Sequence, residues 1–310
     1  MALQSLLIII VILAVLLVLG VPISYALGIS ALAAILQTVP LDNSVITASQ
    51  RTFVGMSKFS LTAIPFFILA GNLMNQGGIA KRLVDFVNAI LGKLPGSLLV
   101  TNVGANALFG AISGSASAAA AAVGNMVREG EEEQGYDPAV CAATNGASAP
   151  SGLLIPPSNA LITYSLVSGG TSVAALFLAG YIPGIIWAIC CMVVAIIIAK
   201  KKGYVGIKGK FSFRTLGIAT LRAIPALSLI VVVIGGIIGG VFTATEGSAI
   251  AVVYALILGL LYRNITWKSL KEIIVESAKM SGMIVFLIGV SNIFSWVMAF
   301  TQIPQAIATL

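Results

Sequence analysis

Two short stretches constrain this chain more than anything else in it. The first reads Gly110-Ala-Ile-Ser-Gly-Ser-Ala-Ser-Ala-Ala-Ala120, the second Asn145-Gly-Ala-Ser-Ala-Pro-Ser-Gly-Leu-Leu-Ile-Pro-Pro-Ser158. Both are rich in small residues and helix breakers, and both sit among long apolar runs. An unsatisfied backbone group in hydrocarbon costs several kcal/mol, so broken backbone at membrane depth persists only where protein buries it or where it lines a cavity. Two such breaks close together in sequence are what a transporter needs to hold an ion and a solute near the bilayer midplane.

The surroundings are those of a membrane protein. Of 310 residues, 59% are apolar and 9% charged, against about 25% charged in a soluble domain. Runs such as Leu3–Leu19, Leu176–Ala199 and Ile224–Val241 are long enough, or nearly so, to cross ~30 Å of hydrocarbon. The first run has no basic residue ahead of it and continues through Gly20-Val-Pro22 into a second, so it is expected to stay as a helix and not be cleaved as a signal peptide. Cys141, Cys190 and Cys191 have neither metal-ligand nor redox spacing and read as small packing residues. Histidine is absent, which removes the commonest general base and transition-metal ligand. The fold class that follows is an all-α polytopic membrane protein. No cofactor, nucleic acid or enzymatic activity is expected, and the lipid bilayer is the chain's first partner.

Apolar helices are predicted at about 3–20, 22–39, 59–76, 174–199, 223–241, 245–262 and 279–301, with the broken segments at about 96–128 and 138–168. Stretches 43–58 and 265–278 mix polar and apolar residues and read as interfacial. The positive-inside rule orients the whole. With Lys200, Lys201, Lys202, Lys208, Lys210, Arg214 and Arg222 placed in the cytoplasm, of 17 basic residues only Arg51 and Lys58 fall outside. This holds provided 96–128 enters and leaves on one side. The segment is then a re-entrant hairpin, and the amino terminus is periplasmic. The acidic run Glu129, Glu131, Glu132 and Glu133 reads as a solvated cytoplasmic turn, and Glu246 as a helix-start residue. Asn72 and Asn292 lie inside spans, with packing and site roles equally open.

An internal repeat fits this topology. Two apolar helices, an interfacial stretch and another apolar helix occur at 3–76 and again at 223–301, with opposite orientation. That is an inverted-topology repeat of the secondary-transporter kind. By this symmetry, a second hairpin and second broken helix, on the order of a hundred residues, would be needed after the last apolar run to complete the repeat.

The breaks themselves suggest a site. The hairpin halves meet at Ser113-Gly114-Ser115-Ala116-Ser117. The second half starts there with serines available as N-caps, and its positive dipole end and free N–H groups favour an anion such as a carboxylate. The first half ends there in unpaired carbonyls, which suit Na⁺, a hard cation. In the second break, Pro150, Gly152, Pro156 and Pro157 remove donors and helix continuity. Asn145, Ser148, Ser151, Ser158 and Asn159 supply neutral oxygens nearby.

The runs Ile64-Pro-Phe-Phe-Ile-Leu-Ala-Gly-Asn-Leu-Met74, Leu108-Phe-Gly-Ala-Ile-Ser-Gly-Ser-Ala116, Ile155-Pro-Pro-Ser158 and Val241-Phe-Thr-Ala-Thr-Glu-Gly247 resemble the large membrane subunit of the tripartite ATP-independent periplasmic (TRAP) transporters, in register along the chain. The resemblance implies an elevator-type transporter of the bacterial inner membrane, coupled to Na⁺. A periplasmic solute-binding protein would deliver an organic acid anion, such as a sugar acid like sialic acid or a dicarboxylate, and a small four-helix membrane subunit would buttress the scaffold. It implies scaffold helices and a first arm at 1–58, a transport domain at 59–168, scaffold helices and a second arm at 169–278, and the start of a second transport-domain repeat at 279–310. It also implies that Ser113, Gly114, Ser115 and Ser117, with Asn145, Ser148, Pro150, Gly152, Pro156, Pro157 and Ser158, form the ion and solute site. Ser113, Gly114, Ser115, Asn145 and Ser148 would lie at one Na⁺. The family's second hairpin and second broken helix do not follow within the sequence.

Three other readings compete with this one. A carboxylate transporter of the same architecture would work without a binding protein. A membrane-embedded enzyme acting on lipid-linked substrates would need intramembrane Asp, Glu or His, and the spans hold only Glu246, at a helix end. A truncated, non-transporting scaffold is the third.

Overall fold

The computed structural model describes residues 2–168, 171–206 and 213–308. Lys208 and Lys210 of the expected cytoplasmic cluster lie outside the described residues. The described residues are helical with no strand. Among the described residues four helices are long and apolar enough to cross a membrane: Val173–Lys202, Phe213–Ile238, Ala244–Leu261 and Trp267–Phe300. Only 22 to 33% of their most apolar stretches is buried inside the protein, so most of that surface is left to lipid. The chain is an all-α polytopic membrane protein.

In chain order the helices are α1 (Ala2–Val18), α2 (Ile23–Ile35), α3 (Leu41–Met56), α4 (Ala63–Gln76), α5 (Ile79–Leu91), α6 (Ser97–Ser113), α7 (Ala116–Glu133), α8 (Pro138–Ser148), α9 (Ser151–Leu154), α10 (Asn159–Val167), α11 (Val173–Lys202), α12 (Phe213–Ile238), α13 (Ala244–Leu261), α14 (Trp267–Phe300) and α15 (Ile303–Ala308). Their contacts divide them into two compact units, Met1–Leu61 with Lys279–Leu310, and Thr62–Ala278.

In the first unit, Ile9, Ala31, Ala34, Ile35, Ile293, Val297 and Ile303 form the apolar core. The guanidinium of Arg51 stands 5.3 Å from the Trp296 ring, a cation–π arrangement. Helix α14 is continuous from Trp267 to Phe300, so the stretch 265–278, which the sequence reading sets apart as interfacial, runs on from Trp267 into the apolar helix. Neither Gly nor Pro lies between Trp267 and Ser281, so nothing interrupts α14.

The second unit is built around α6. Leu98–Asn106 and Phe109–Ser113 are all buried, and α4, α5, α7, α8, α9 and α11 pack around them. Among the buried polar side chains of α6 are Ser97, Thr101, Asn102, Asn106 and Ser113. Helix α5 lies outside the helices predicted from the sequence. Ile79, Ala80, Leu83 and Val87 are buried along one face, the spacing of an amphipathic helix. Local signals bound the other helices. Pro138 stands at the first position of α8, with Asp137 as its cap. Gly203 closes α11 after Lys200, Lys201 and Lys202, which favour the negative helix end. Thr243 and Glu246 form a reciprocal capping box at the start of α13, so Glu246 is the helix-start residue expected. Asn72 donates from Nδ2 to Ser277 Oγ at 2.8 Å and so ties α4 to α14.

Candidate functional site

The site is assembled where two interrupted helices run side by side. Helix α6 ends at Ser113, and Gly114 caps it with φ of +64°, a conformation that glycine adopts without strain. Gly114 N donates to Gly110 O at 2.8 Å. The chain then restarts at once. Ser115 is the N-cap of α7, its hydroxyl accepting from Ala118 N at 3.3 Å. The turn at Ser113-Gly114-Ser115 is the hairpin tip the sequence predicts.

The second break lies against that tip. From Asn145 to Asn159 the chain follows α6 in parallel, and the contacts keep step. Asn145 and Ser148 meet Asn106, Gly152 meets Gly110, and Asn159 meets Gly114. The middle contact is backbone on backbone. A Cβ built on Gly110 would lie 2.0 Å from Gly152 Cα, and one on Gly152 would lie 2.4 Å from Gly110 Cα. Pro156 and Pro157 then carry the chain, buried, into Ser158, which caps α10 by accepting from Leu161 N at 3.4 Å. Asn159 N donates to Gly114 O at 3.3 Å, closing the tip on the break. Gly71 of α4 packs against Ser113 from another side, where a Cβ would stand 3.0 Å from the Ser113 Cβ.

Three helix ends therefore converge within a few residues. The carbonyl end of α6 and the N–H ends of α7 and α10 meet at the Gly114–Asn159 contact, with Pro157 O beside Gly114. Helix C-termini carry about half a negative charge and N-termini about half a positive one. Such a junction offers oxygens to a small cation and N–H groups to an anion without using a charged side chain. Asn159 Oδ1 is buried there with no hydrogen-bond partner, which is rare for a buried polar atom unless a ligand or water completes it. Ser115 and Ser117 hydroxyls stand 3.1 Å apart, with Ser117 exposed.

The sequence-predicted residues fall into two places. Ser113, Gly114, Ser115 and Ser117 lie at the tip, with Pro156, Pro157 and Ser158. Asn145 and Ser148 lie beside Asn106, two turns of α6 from Ser113, or ~10 Å along its axis. Pro150 and Gly152 occupy the stretch between. At the Asn145 end the polar groups hold one another. Asn106 Nδ2 is within 2.7 Å of Asn102 Oδ1, 3.0 Å of Asn145 Oδ1 and 2.9 Å of Ser148 Oγ, while Asn145 Nδ2 donates to Ala120 O at 2.9 Å. This asparagine cluster was missed. Its signal is Asn102 and Asn106 four apart in an apolar helix, and polar residues inside such segments face partners.

Breaking α8 frees its last carbonyls, and α11 answers one of them. Trp187 Nε1 donates to Ala147 O at 2.8 Å. The acidic turn also needs correction. Glu129, Glu132 and Glu133 are exposed, but Glu131 is 5% exposed. It follows Val123 and Val127 on the buried stripe of α7.

A family description, the tripartite ATP-independent periplasmic transporter, DctM component, matches residues 10–310. The chain belongs to that family. It is 51% identical to the YgiK protein of Salmonella typhimurium, over 95% of this chain and 67% of that protein. It is 37% identical to the C4-dicarboxylate TRAP transporter large permease protein DctM of Rhodobacter capsulatus, over 93% of this chain and 68% of the relative. Against the sialic acid TRAP transporter large permease protein SiaM of Vibrio cholerae the identity is 36%, over 93% and 67%. The chain thus spans about two thirds of the length of these relatives. The two whose names state a role are transporter permeases, not enzymes.

Proposed function

We propose that this chain belongs to a Na⁺-coupled symporter that moves an organic acid anion across the bacterial inner membrane by alternating access. The observation that carries the reading is the junction of three helix ends at Gly114 and Asn159, with the unpartnered Asn159 oxygen inside it. Na⁺ takes the carbonyl ends near Ser113 and Gly114 together with hydroxyl or amide oxygens. The anion's acid group takes the N–H ends of α7 and α10, capped by Ser115 and Ser158. The asparagine cluster at Asn145 and Ser148 braces the hairpin against the broken helix. The solute class is supported by the relatives named for C4-dicarboxylates and for sialic acid, both of which bear carboxylates. The partners are a periplasmic solute-binding protein and a small four-helix membrane subunit, and the amino terminus is periplasmic.

Uptake into proteoliposomes holding the transporter with its small subunit tests this. Accumulation of an acidic solute is expected only with an inward Na⁺ gradient and with the binding protein outside. Equal uptake with the gradient collapsed contradicts Na⁺ coupling. Equal uptake without the binding protein contradicts the tripartite assembly.

A further inference from the structure

We propose that the Glu131 carboxyl is a proton-binding site, held as the neutral acid in the cavity between α7 and α8 and exchanging its proton through that cavity's rim. The cavity has a volume of about 350 Å³, and Asn102, Glu131, Tyr136, Cys141 and Asn145 line it together with Arg128 and Glu132. Glu131 is 5% exposed, and its Oε1 is buried with no hydrogen-bond partner. Asn102, fully buried on α6, leaves its Nδ2 unpartnered in the same cavity. The Tyr136 hydroxyl, on the same lining, is unpartnered as well, and three unsatisfied polar side chains on one cavity are unusual in a folded protein.

The identity of the missing partner follows from charge. Burying an unpaired carboxylate costs far more than burying the neutral acid, so an isolated Glu131 needs a cation or a proton. Arg128, the cationic side chain in the cavity lining, is turned to Glu132 at 2.7 Å, with side chains 73% and 58% exposed. Lys202, from α11, is paired with Asp137. From α5, which also packs on α7, the charged groups are Lys81, Arg82 and Asp85. None of these lines the cavity, and Arg82 lies over the Tyr262 ring at 3.1 Å. The remaining neighbours are neutral: Asn102 from α6, Cys141 from α8 and Tyr136 from the turn. Glu131 lies beyond the stretch read as re-entrant. Burial pushes its carboxyl above the ordinary glutamate range, and the Cys141 thiol and Asn102 amide, near it but outside hydrogen-bonding geometry, pull it back by less. The exposed side chains at the rim give a proton its route.

The sign of the linkage is fixed. A carboxyl whose folded value lies above its unfolded one stabilises the fold at low pH and loses that contribution as pH rises from ~4.3 through the folded value. Thermal unfolding of the purified protein against pH is therefore expected to fall in the wild type relative to Glu131→Gln over that range, whereas Glu132→Gln follows the wild type. Infrared titration is expected to show a protonated-carboxyl band persisting above pH ~4.3 that Glu131→Gln lacks. Should that variant fail to fold, the wild type alone with carboxyl-labelled glutamate reads the same event, as one glutamate titrating above the rest. Parallel pH profiles, or no glutamate titrating above the others, overturns the proposal. Loss of the band on adding Na⁺ at fixed pH also overturns it, by showing that the cavity takes Na⁺ instead.

Discussion

A methyl group on Gly152 would stand 2.4 Å from the Cα of Gly110, and backbone cannot yield there as a flexible side chain would. Gly152→Ala is therefore expected to destabilise the protein by about 1–3 kcal/mol, read as a lowered unfolding temperature in detergent. Gly146→Ala, in the same broken segment but facing open space within α8, is expected to leave stability unchanged or raise it by up to about 1 kcal/mol. Equal effects would contradict the close approach of α6 and α9. At Asn106 the issue is satisfaction, not space. Asn106→Leu removes the donor from Asn102, Asn145 and Ser148 and strands buried oxygens, with an expected loss of about 1–3 kcal/mol. The difference between these residues also marks what a sequence reveals. Gly114 and Ser115 interrupt an apolar run and announce a break locally. The pairing of Gly152 with Gly110, and of Asn106 with Asn145, joins residues 39 to 42 apart and leaves no mark in any single window.

Among the elements, α8 shows how a broken helix is anchored. Its first turn is capped by Asp137, whose Oδ1 accepts from Ala139 N at 2.9 Å, and the same carboxylate pairs with Lys202 at the end of α11. The ammonium of Lys202, first, and the Ala139 N–H hold the Asp137 carboxyl below the ordinary aspartate range. A depressed acid contributes stability above its unfolded value, ~3.9, and loses it as pH falls through the folded one. Asp137→Ala is therefore expected to be less stable than wild type at neutral pH, with the gap closing in acid. A gap that widens in acid contradicts the assignment. The pair is exposed, so the effect is small. Elements with a strong local signature are legible: the hairpin turn and the helix start at Glu246. Helix α5 was passed over because Lys81, Arg82 and Asp85 drew attention to charge, although Ile79, Leu83 and Val87 carry the helical stripe. The buried position of Glu131 was hidden in the same way, by three exposed acidic neighbours.

For the whole molecule, composition and the long apolar helices make a polytopic membrane protein legible from sequence, and the family follows from matched residues along most of the chain. The orientation in the bilayer was argued from charge alone. Glu133→Cys, at an exposed position near the end of α7, in a background with Cys141, Cys190 and Cys191 replaced, is expected to react with an impermeant thiol reagent only from the cytoplasmic side. Labelling from outside reverses the topology. The central claim is that the junction of hairpin tip and broken helix holds the coupling ion. It is tested most directly by Na⁺-dependent uptake in proteoliposomes carrying Ser115→Leu, with membrane insertion checked in parallel. The account predicts that insertion is retained and Na⁺-driven uptake is abolished. Uptake at the wild-type rate with the same Na⁺ dependence would remove the tip from the site.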